Sequence, residues 1–336
     1  MAVNRSMLFD LLQRSTSLGV ISDFLKRKGL HYSAGSWEDM FALRLHPYVD
    51  ESKITLPELV DLLGSVEEYG RQHIFLFKTS PEKARAMMDR ARVKQALDVM
   101  KLGGLLTSPK LYDFPKNPTV ADVRWVTAEN GIDQELIIKE IQAREYLKLV
   151  GTTPTTKGII KEFDNEQERG VNLIRLNRNG QMEVRVAARS GTTRYGIDAR
   201  EFRTRMKQLI SVDGFADVSL TKAKTTLWTN RAKYAGKIRF SEVAARNDDD
   251  FVLKAVGGRI DANVSSNAAS VASMEKFIEQ KGRCESYNLW FSKDHTPSKK
   301  DIHFLMTGEP NEFAINASCT KEDYEYVLAE IRSLNT

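Results

Sequence analysis

The chain has 336 residues, of which 41% are hydrophobic and 28% are charged. This composition excludes wholesale disorder and predicts one large globular domain or two of medium size. The formal net charge is only +5, so an electrostatic role depends on where the charges lie along the chain.

Hydropathy and cysteine content indicate where the protein resides. No stretch approaches the roughly 18 consecutive apolar residues that cross a membrane, and residues 1–12 lack the pattern of a secretory signal. The two cysteines, Cys284 and Cys319, do not form the framework of a disulfide-rich secreted domain. We therefore expect a cytoplasmic protein, or a nuclear one in a eukaryotic cell, without a membrane partner.

The first domain, residues 1–150, is predicted to be mainly helical. Residues 17–28 carry apolar side chains at helical spacing. Thr55 and Glu58 have the spacing of a capping box, ahead of a second apolar stripe. These patterns predict two amphipathic helices.

A short strand is expected within this helical domain. His73–Phe77 is rich in aromatic and branched residues, which favours a buried strand, and a helix should follow it as far as Met100. Val120–Val126 fits either a strand or a short helix. Asp133–Leu149 places its apolar residues at nearly helical spacing, so a helix is predicted there.

Residues 151–158 are small, polar and turn-forming, and they predict a linker. Residues 159–336 should then form a strand-rich domain with packed helices. The expected fold class is therefore α+β, with a helical domain followed by a strand-rich one.

A β-hairpin is predicted over residues 171–189, turning at the Asn-Gly pair before Gln181. A three-residue loop with Gly180 in the left-handed conformation sets Arg175 opposite Glu183. The same register gathers the apolar side chains on one face: Ile174, Leu176, Met182, Val184 and Val186.

A helix should follow this hairpin, with a basic side that includes Arg200, Arg203 and Lys207. The C-terminal part repeats the order of strands followed by a helix. Its strands are predicted near residues 287–291, 301–306 and 312–317, and an acidic helix spans 320–334. The recurring order suggests an internal pseudo-repeat.

Positive charge is concentrated in the middle of the chain. Residues 169–246 contain 17 lysine and arginine residues against 6 aspartate and glutamate residues. Such an excess is typical of a face that binds a polyanion, so DNA or RNA is the expected partner. The candidate contacts are Arg175, Arg178, Arg200, Arg203, Lys207, Lys222, Lys224, Trp228, Arg231, Lys233, Tyr234, Lys237 and Arg239.

The segment 222–240 is the most specific part of this prediction. Its even spacing of cations suggests a basic hairpin, in which Trp228 or Tyr234 stacks on an exposed base. Trp228 equally fits a core position, and the cations equally fit a solvated surface. A scaffold that binds an acidic protein is the alternative function.

No catalytic motif stands out. The histidines and cysteines lack metal-ligand spacing, so neither a metal site nor a cofactor is predicted. If the protein is an enzyme, a Mg²⁺-dependent nuclease is the best candidate, because such enzymes need clustered carboxylates. The acidic groups within 162–168 and Asp248–Asp250 are the candidates.

Overall fold

A computed structural model describes residues 4–189, 194–317 and 319–336. These residues contain helices and an eleven-stranded antiparallel sheet, so the predicted mixture of α and β structure is confirmed. The chain divides into two compact units, residues 1–69 with 111–113 and residues 70–110 with 114–336. Within the described ranges, no helix has both the length and the apolar character needed to span a bilayer.

The first unit is built from helices around its own apolar core. Thr55 caps the last helix through the predicted capping box with Glu58. That helix buries Leu59, Leu62 and Leu63, as its apolar spacing requires. The helical segments are α1 (Arg5–Ser15), α2 (Leu18–Arg27), α3 (Trp37–Met40), a π-helical turn (Phe41–Leu45), α4 (His46–Asp50) and α5 (Leu56–Glu68).

In its described residues, the second unit contains the sheet and six further α-helices. The strands are β1 (Gln72–Lys78), β2 (Thr119–Thr127), β3 (Asp133–Thr155), β4 (Gly158–Asn177), β5 (Gln181–Ala187), β6 (Ala216–Asp217), β7 (Ile238–Arg246), β8 (Val252–Val256), β9 (Arg283–Phe291), β10 (Ile302–Met306) and β11 (Glu312–Ile315). The helices are α6 (Pro81–Met87), α7 (Arg90–Val99), α8 (Tyr195–Arg205), α9 (Thr221–Thr229), α10 (Ala268–Glu279) and α11 (Lys321–Leu334).

The strands are ordered β2-β3-β4-β5-β1-β11-β10-β9-β7-β8, and β6 pairs with β1. We call the face that carries Ile174 and Val184 the front face; α6, α7 and α8 pack on it. The opposite, back face carries Phe240 and Phe291, which contact aromatic side chains of α9 and α11. The two faces therefore have separate helical layers at different parts of the sheet.

The hairpin of β4 and β5 has the predicted register. Arg175 pairs with Glu183, and Gly180 has a φ of 94°. The five apolar side chains expected on one face are at most 1% exposed. A one-residue slip would turn Arg175, Glu183 and Arg185 toward the apolar core of the front face, which is why the pattern fixes the register. The predicted pseudo-repeat is not tested by this arrangement.

The helix predicted over Asp133–Leu149 is wrong, because this segment belongs to β3. Near its start, Ile137 and Ile138 point to opposite faces and both are buried. Because both faces are buried here, polar and apolar residues do not alternate as they do in a half-exposed strand. The helix-forming residues of the segment then favour a helix in a prediction from sequence. Residues 151–158, predicted as a linker, lie at the end of the hairpin that joins β3 to β4.

The basic hairpin predicted over 222–240 is also wrong. Its first half is α9, which buries Ala223 and Leu227 at helical spacing, and its second half begins β7. A four-residue interval between buried residues is the helical signal, whereas the even spacing of the cations was coincidental. The cations of this segment therefore do not form a ladder along a strand.

Candidate nucleic-acid interface

The cations of α9 are directed into the protein or to the chain end. Lys224 is 3% exposed, and its Nζ donates to the carbonyl oxygens of Thr307 at 2.5 Å and Glu309 at 3.4 Å. Burial lowers its pKa. Lys222 donates to a backbone oxygen of Thr336. The ammonium group of Lys224 is therefore inside the protein, whereas Lys222 stays at the surface.

The aromatic residue expected to stack on a base is in the core. Trp228 is 4% exposed and meets Phe240 edge to face, with ring centroids 5.8 Å apart. Arg231 lies over the Trp228 ring at 4.7 Å and forms an ion pair with Glu275 at 2.5 Å. Tyr234 is half-buried in the turn before β7. The core interpretation of Trp228 is therefore the one that the structure supports.

The acidic C-terminal helix α11 neutralises two of the predicted contacts. Lys237 forms an ion pair with Glu330 at 2.8 Å. Arg175 lies between Glu135 and Glu325, each at 2.5 Å. Carboxylates from the same chain thus occupy the positions that phosphates would need.

The remaining predicted cations are distributed over different parts of the molecule. Arg178 donates to a backbone carbonyl of β3, and Arg203 lies over the Phe77 ring at 4.1 Å. Arg200 and Lys207 are exposed on α8 and the turn after it, whereas Lys233 is exposed after α9. Because α8 and α9 pack on opposite faces of the sheet, the structure does not bring these cations into one basic face.

A different arrangement lies on the front face of β7, β9 and β10. Trp290 on β9 pairs directly with Arg239 on β7 and with His303 on β10, and all three side chains are half-buried. The guanidinium of Arg239 lies 5.1 Å from the Trp290 ring centroid. The Trp290 and His303 rings stack at 4.4 Å with 13° between their planes. We call these three residues the stacked column.

Two cavities border the stacked column. One has a volume of about 280 Å³ and is lined by Arg239, Trp290, Asn263 and Asp301 among others. The second, of about 340 Å³, lies beside Trp290 and His303 and reaches the loop 257–260. Their volumes are near the lower limit for small-ligand sites. Each cavity offers an aromatic edge together with hydrogen-bonding side chains.

The loop of residues 257–263 lines both cavities. Gly257 donates its backbone N–H to Ser241 at 2.9 Å, and the Asn263 side chain accepts from the backbone of Phe240 at 3.0 Å. Arg239 donates to the carbonyl oxygen of Ile260, whose side chain is 84% exposed. The loop is therefore attached to the edge of β7 at three points, one of which is a member of the stacked column.

His303 is held in a defined state. Burial, followed by the charge of Arg239, lowers the pKa of its imidazole. Its Nε2 lies 2.5 Å from Oδ1 of Asn288. A neutral ring that donates from Nε2 leaves Nδ1 as an acceptor. The column therefore combines a cation, an aromatic face and a hydrogen-bond acceptor.

Sequence reasoning missed Trp290 and His303, although a signal was present. Tyr287, Leu289 and Phe291 alternate with more exposed neighbours along β9, which places Trp290 on the opposite face. The alternation of β10 does the same for His303. A tryptophan on the solvent side of a strand is the unusual feature that could have identified the site.

The two acidic groups considered for a nuclease lie on different elements, one on β4 and the other in the turn after β7. The acidic residues of 162–168 alternate along β4, and Glu166 pairs with Lys148 at 2.7 Å. In the turn after β7, Asp250 pairs with Arg246 at 2.9 Å. Throughout the described part of the chain, no three potential ligands converge in a way that could hold a metal ion.

No protein-family profile matches the chain, and no curated protein matches it significantly.

Proposed function

We propose that this protein binds single-stranded nucleic acid on the front face of β7, β9 and β10. The observation that carries the proposal is the stacked column, in which Trp290 lies between Arg239 and His303 on a solvent-facing sheet. Exposed aromatic and guanidinium groups on a sheet are a common platform for unpaired bases. A scaffold for an acidic protein and a Mg²⁺-dependent nuclease stay the alternative predictions.

The contact between Arg239 and Trp290 suggests how a base binds to the stacked column. A base that stacks on Trp290 takes the place of the guanidinium, and Arg239 is then free to pair with the adjacent phosphate. The two positions are close enough for one nucleotide to satisfy both. Stacking contributes about 1–3 kcal/mol per base.

Further cations lie around the column. Arg259 lines the larger cavity and is 85% exposed. Lys254 lies on the same face of the neighbouring strand, where it pairs with Glu242 at 2.8 Å. Duplex DNA buries its base faces, so a stacking platform favours single strands. We therefore expect phosphate contacts to contribute modestly to the free energy of binding, and base stacking to contribute more.

The test is fluorescence anisotropy with labelled single-stranded and double-stranded DNA and RNA at two salt concentrations. The Trp290→Ala change should weaken single-strand binding about tenfold or more, because one stacked base is lost. The Arg239→Ala change should weaken binding and reduce its salt dependence.

Trp125 provides a matched control. It also carries a stacked guanidinium, that of Arg90 at 4.8 Å, but its indole nitrogen donates to the backbone of Met88 beside α7. The Trp125→Phe variant should bind like the parent protein. Equal affinities for parent and Trp290→Ala, in a protein that remains folded, would remove the proposal.

A further inference from the structure

The hairpin of β3 and β4 extends well beyond the rest of the sheet. β2 pairs with β3 as far as Ile141, and β5 pairs with β4 as far as Asn172. Beyond those levels the two strands pair with each other until the turn at Thr155 and Gly158. We call residues 146–166 the arm. A two-stranded ribbon on its own is marginally stable, so the arm is expected to gain from a partner.

The arm has one apolar face and one polar face. Cross-strand pairs share a face, and the pairs on the back face are Leu147 with Asn165, Leu149 with Phe163, Thr152 with Lys161, and Pro154 with Ile159. We call the four large side chains of this face the arm stripe. They are exposed by 69% (Leu147), 48% (Leu149), 49% (Phe163) and 64% (Ile159).

The front face of the arm is more polar, and its Glu166 is paired within the arm. Glu166 accepts hydrogen bonds from Lys148 at 2.7 Å and from the Tyr146 hydroxyl at 2.8 Å. The arm as a whole contains three lysines and three acidic residues. This balance selects neither a polyanion nor an acidic protein, and an exposed set of large apolar side chains is typical of a protein interface.

We propose that the arm stripe is covered by the arm of a second copy of this chain, in an antiparallel two-fold arrangement. Stacking the two ribbons back to back makes a small four-stranded sandwich. In such an interface the same surface is used twice, so each residue and its counterpart must be complementary.

Two charged residues of the back face, one before the stripe and one within it, meet this requirement. On the back face, Glu145 lies one same-face position before Leu147, and Lys161 lies one same-face position beyond Phe163. Both charged residues are exposed. When two arms stack antiparallel about the level between Leu147 and Leu149, each Lys161 lies at the level of the Glu145 of the other copy, one strand to the side. These opposite charges, on either side of Leu147, Leu149 and Phe163, favour a second copy over an unrelated apolar partner.

The area of the stripe indicates how tight the dimer should be. Four large apolar side chains with about half of their surface exposed contribute roughly 400 Å² per arm, or roughly 800 Å² for the pair. Stable interfaces bury about 1,200 Å² or more, a value that is reached only when the flanking polar groups are included. We therefore expect a reversible dimer with a micromolar dissociation constant.

Sedimentation velocity of the full chain over a range of concentrations tests this proposal. The parent protein should dimerise, and Phe163→Glu should weaken the dimer about 100-fold, as for a central interface residue. Ile160→Glu is the matched control, because Ile160 is 55% exposed on the front face of the same strand. It should leave the dimer unchanged.

Charge reversal tests the orientation of the arms. Glu145→Lys and Lys161→Glu should each weaken the dimer about fivefold, the effect of a partly exposed ion pair, and the double variant should restore it. A parent protein that stays monomeric at about 100 μM would overturn the proposal, as would a dimer that Phe163→Glu leaves intact. The proposal would also be overturned if the protein stayed monomeric and used its arm to bind neutral phosphatidylcholine vesicles. The arm stripe would then be a lipid-binding surface.

Discussion

Glu183 and Arg185 place opposite charges in the interior between β5 and α11. Glu183 is 3% exposed and Arg185 is completely buried, and their side chains meet at 2.6 Å. The Tyr324 hydroxyl donates to the same carboxylate at 2.8 Å, and Arg332 approaches it at 3.3 Å. A charge at this depth is tolerable only because its partners surround it.

Replacing Glu183 with Gln keeps the size of the side chain but removes its charge. Arg185 would then be buried without its nearest carboxylate, so we expect the free energy of unfolding to fall by about 3–5 kcal/mol. Urea denaturation measures this change. Glu325→Gln is the control, because Glu325 is 35% exposed and should cost less than about 1 kcal/mol.

The same carboxylate gives stability a predictable pH dependence. Burial alone would raise the pKa of Glu183, but the nearby Arg185, Arg175 and Arg332 hold it below the ordinary value of 4.5. Its contribution is therefore complete above that value and is lost as the pH falls through the folded pKa. The stability difference between the parent protein and Glu183→Gln should narrow below pH 4.5; a difference that does not vary with pH would contradict this account.

Among the structural elements, the turn between β4 and β5 is held by a close backbone contact. The carbonyl oxygen of Gly180 accepts a hydrogen bond from the N–H of Thr79 at 2.9 Å. A Cβ at Gly180 would lie 2.2 Å from the Thr79 carbonyl oxygen, and the glycine also has a φ of 94°. The turn therefore needs glycine for both its conformation and its lack of a side chain.

We expect Gly180→Ala to lower the free energy of unfolding by about 3 kcal/mol or more, since strain and a backbone clash combine. Gly131→Ala isolates the strain, because Gly131 has a φ of 78° and no atom within 4 Å of the added carbon. This control variant should lower the free energy of unfolding by only about 1–2 kcal/mol. Equal losses in a thermal or urea melt would show that the contact with Thr79 does not matter.

Elements with a strong local signal could be predicted from the sequence. Thr55 and Glu58 specify the start of α5 without help from the rest of the chain, and the two-faced pattern of residues 171–189 specifies its register. The strand β3 could not be predicted, because its pairing partners override its helical propensity. The stacked column needed a fold to bring three strands together, although the outward position of Trp290 was already visible in the alternation of β9.

At the scale of the whole molecule, the two compact units have separate apolar cores. A core that belongs to one unit does not depend on the other for its burial. We therefore expect residues 70–336 to fold without the first unit. Near-ultraviolet circular dichroism and a cooperative thermal transition would show this.

Tryptophan fluorescence allows the fragment 70–336 to be compared with the full chain. Trp228 is buried against Phe240 in the second unit, so its emission should be unchanged when the first unit is removed. Loss of the near-ultraviolet spectrum, together with binding of a hydrophobic dye, would indicate a molten state and refute independent folding.

The position of β1 in the middle of the sheet also affects the order of synthesis and folding. Gln72 pairs with Ala187 on one side and with Ile315 on the other. While the chain is still emerging from the ribosome, β1 has neither neighbour, and one of its edges stays unpaired until β11, Glu312–Ile315, has been added. Such late closure slows folding and leaves nascent or truncated chains prone to pairing with one another.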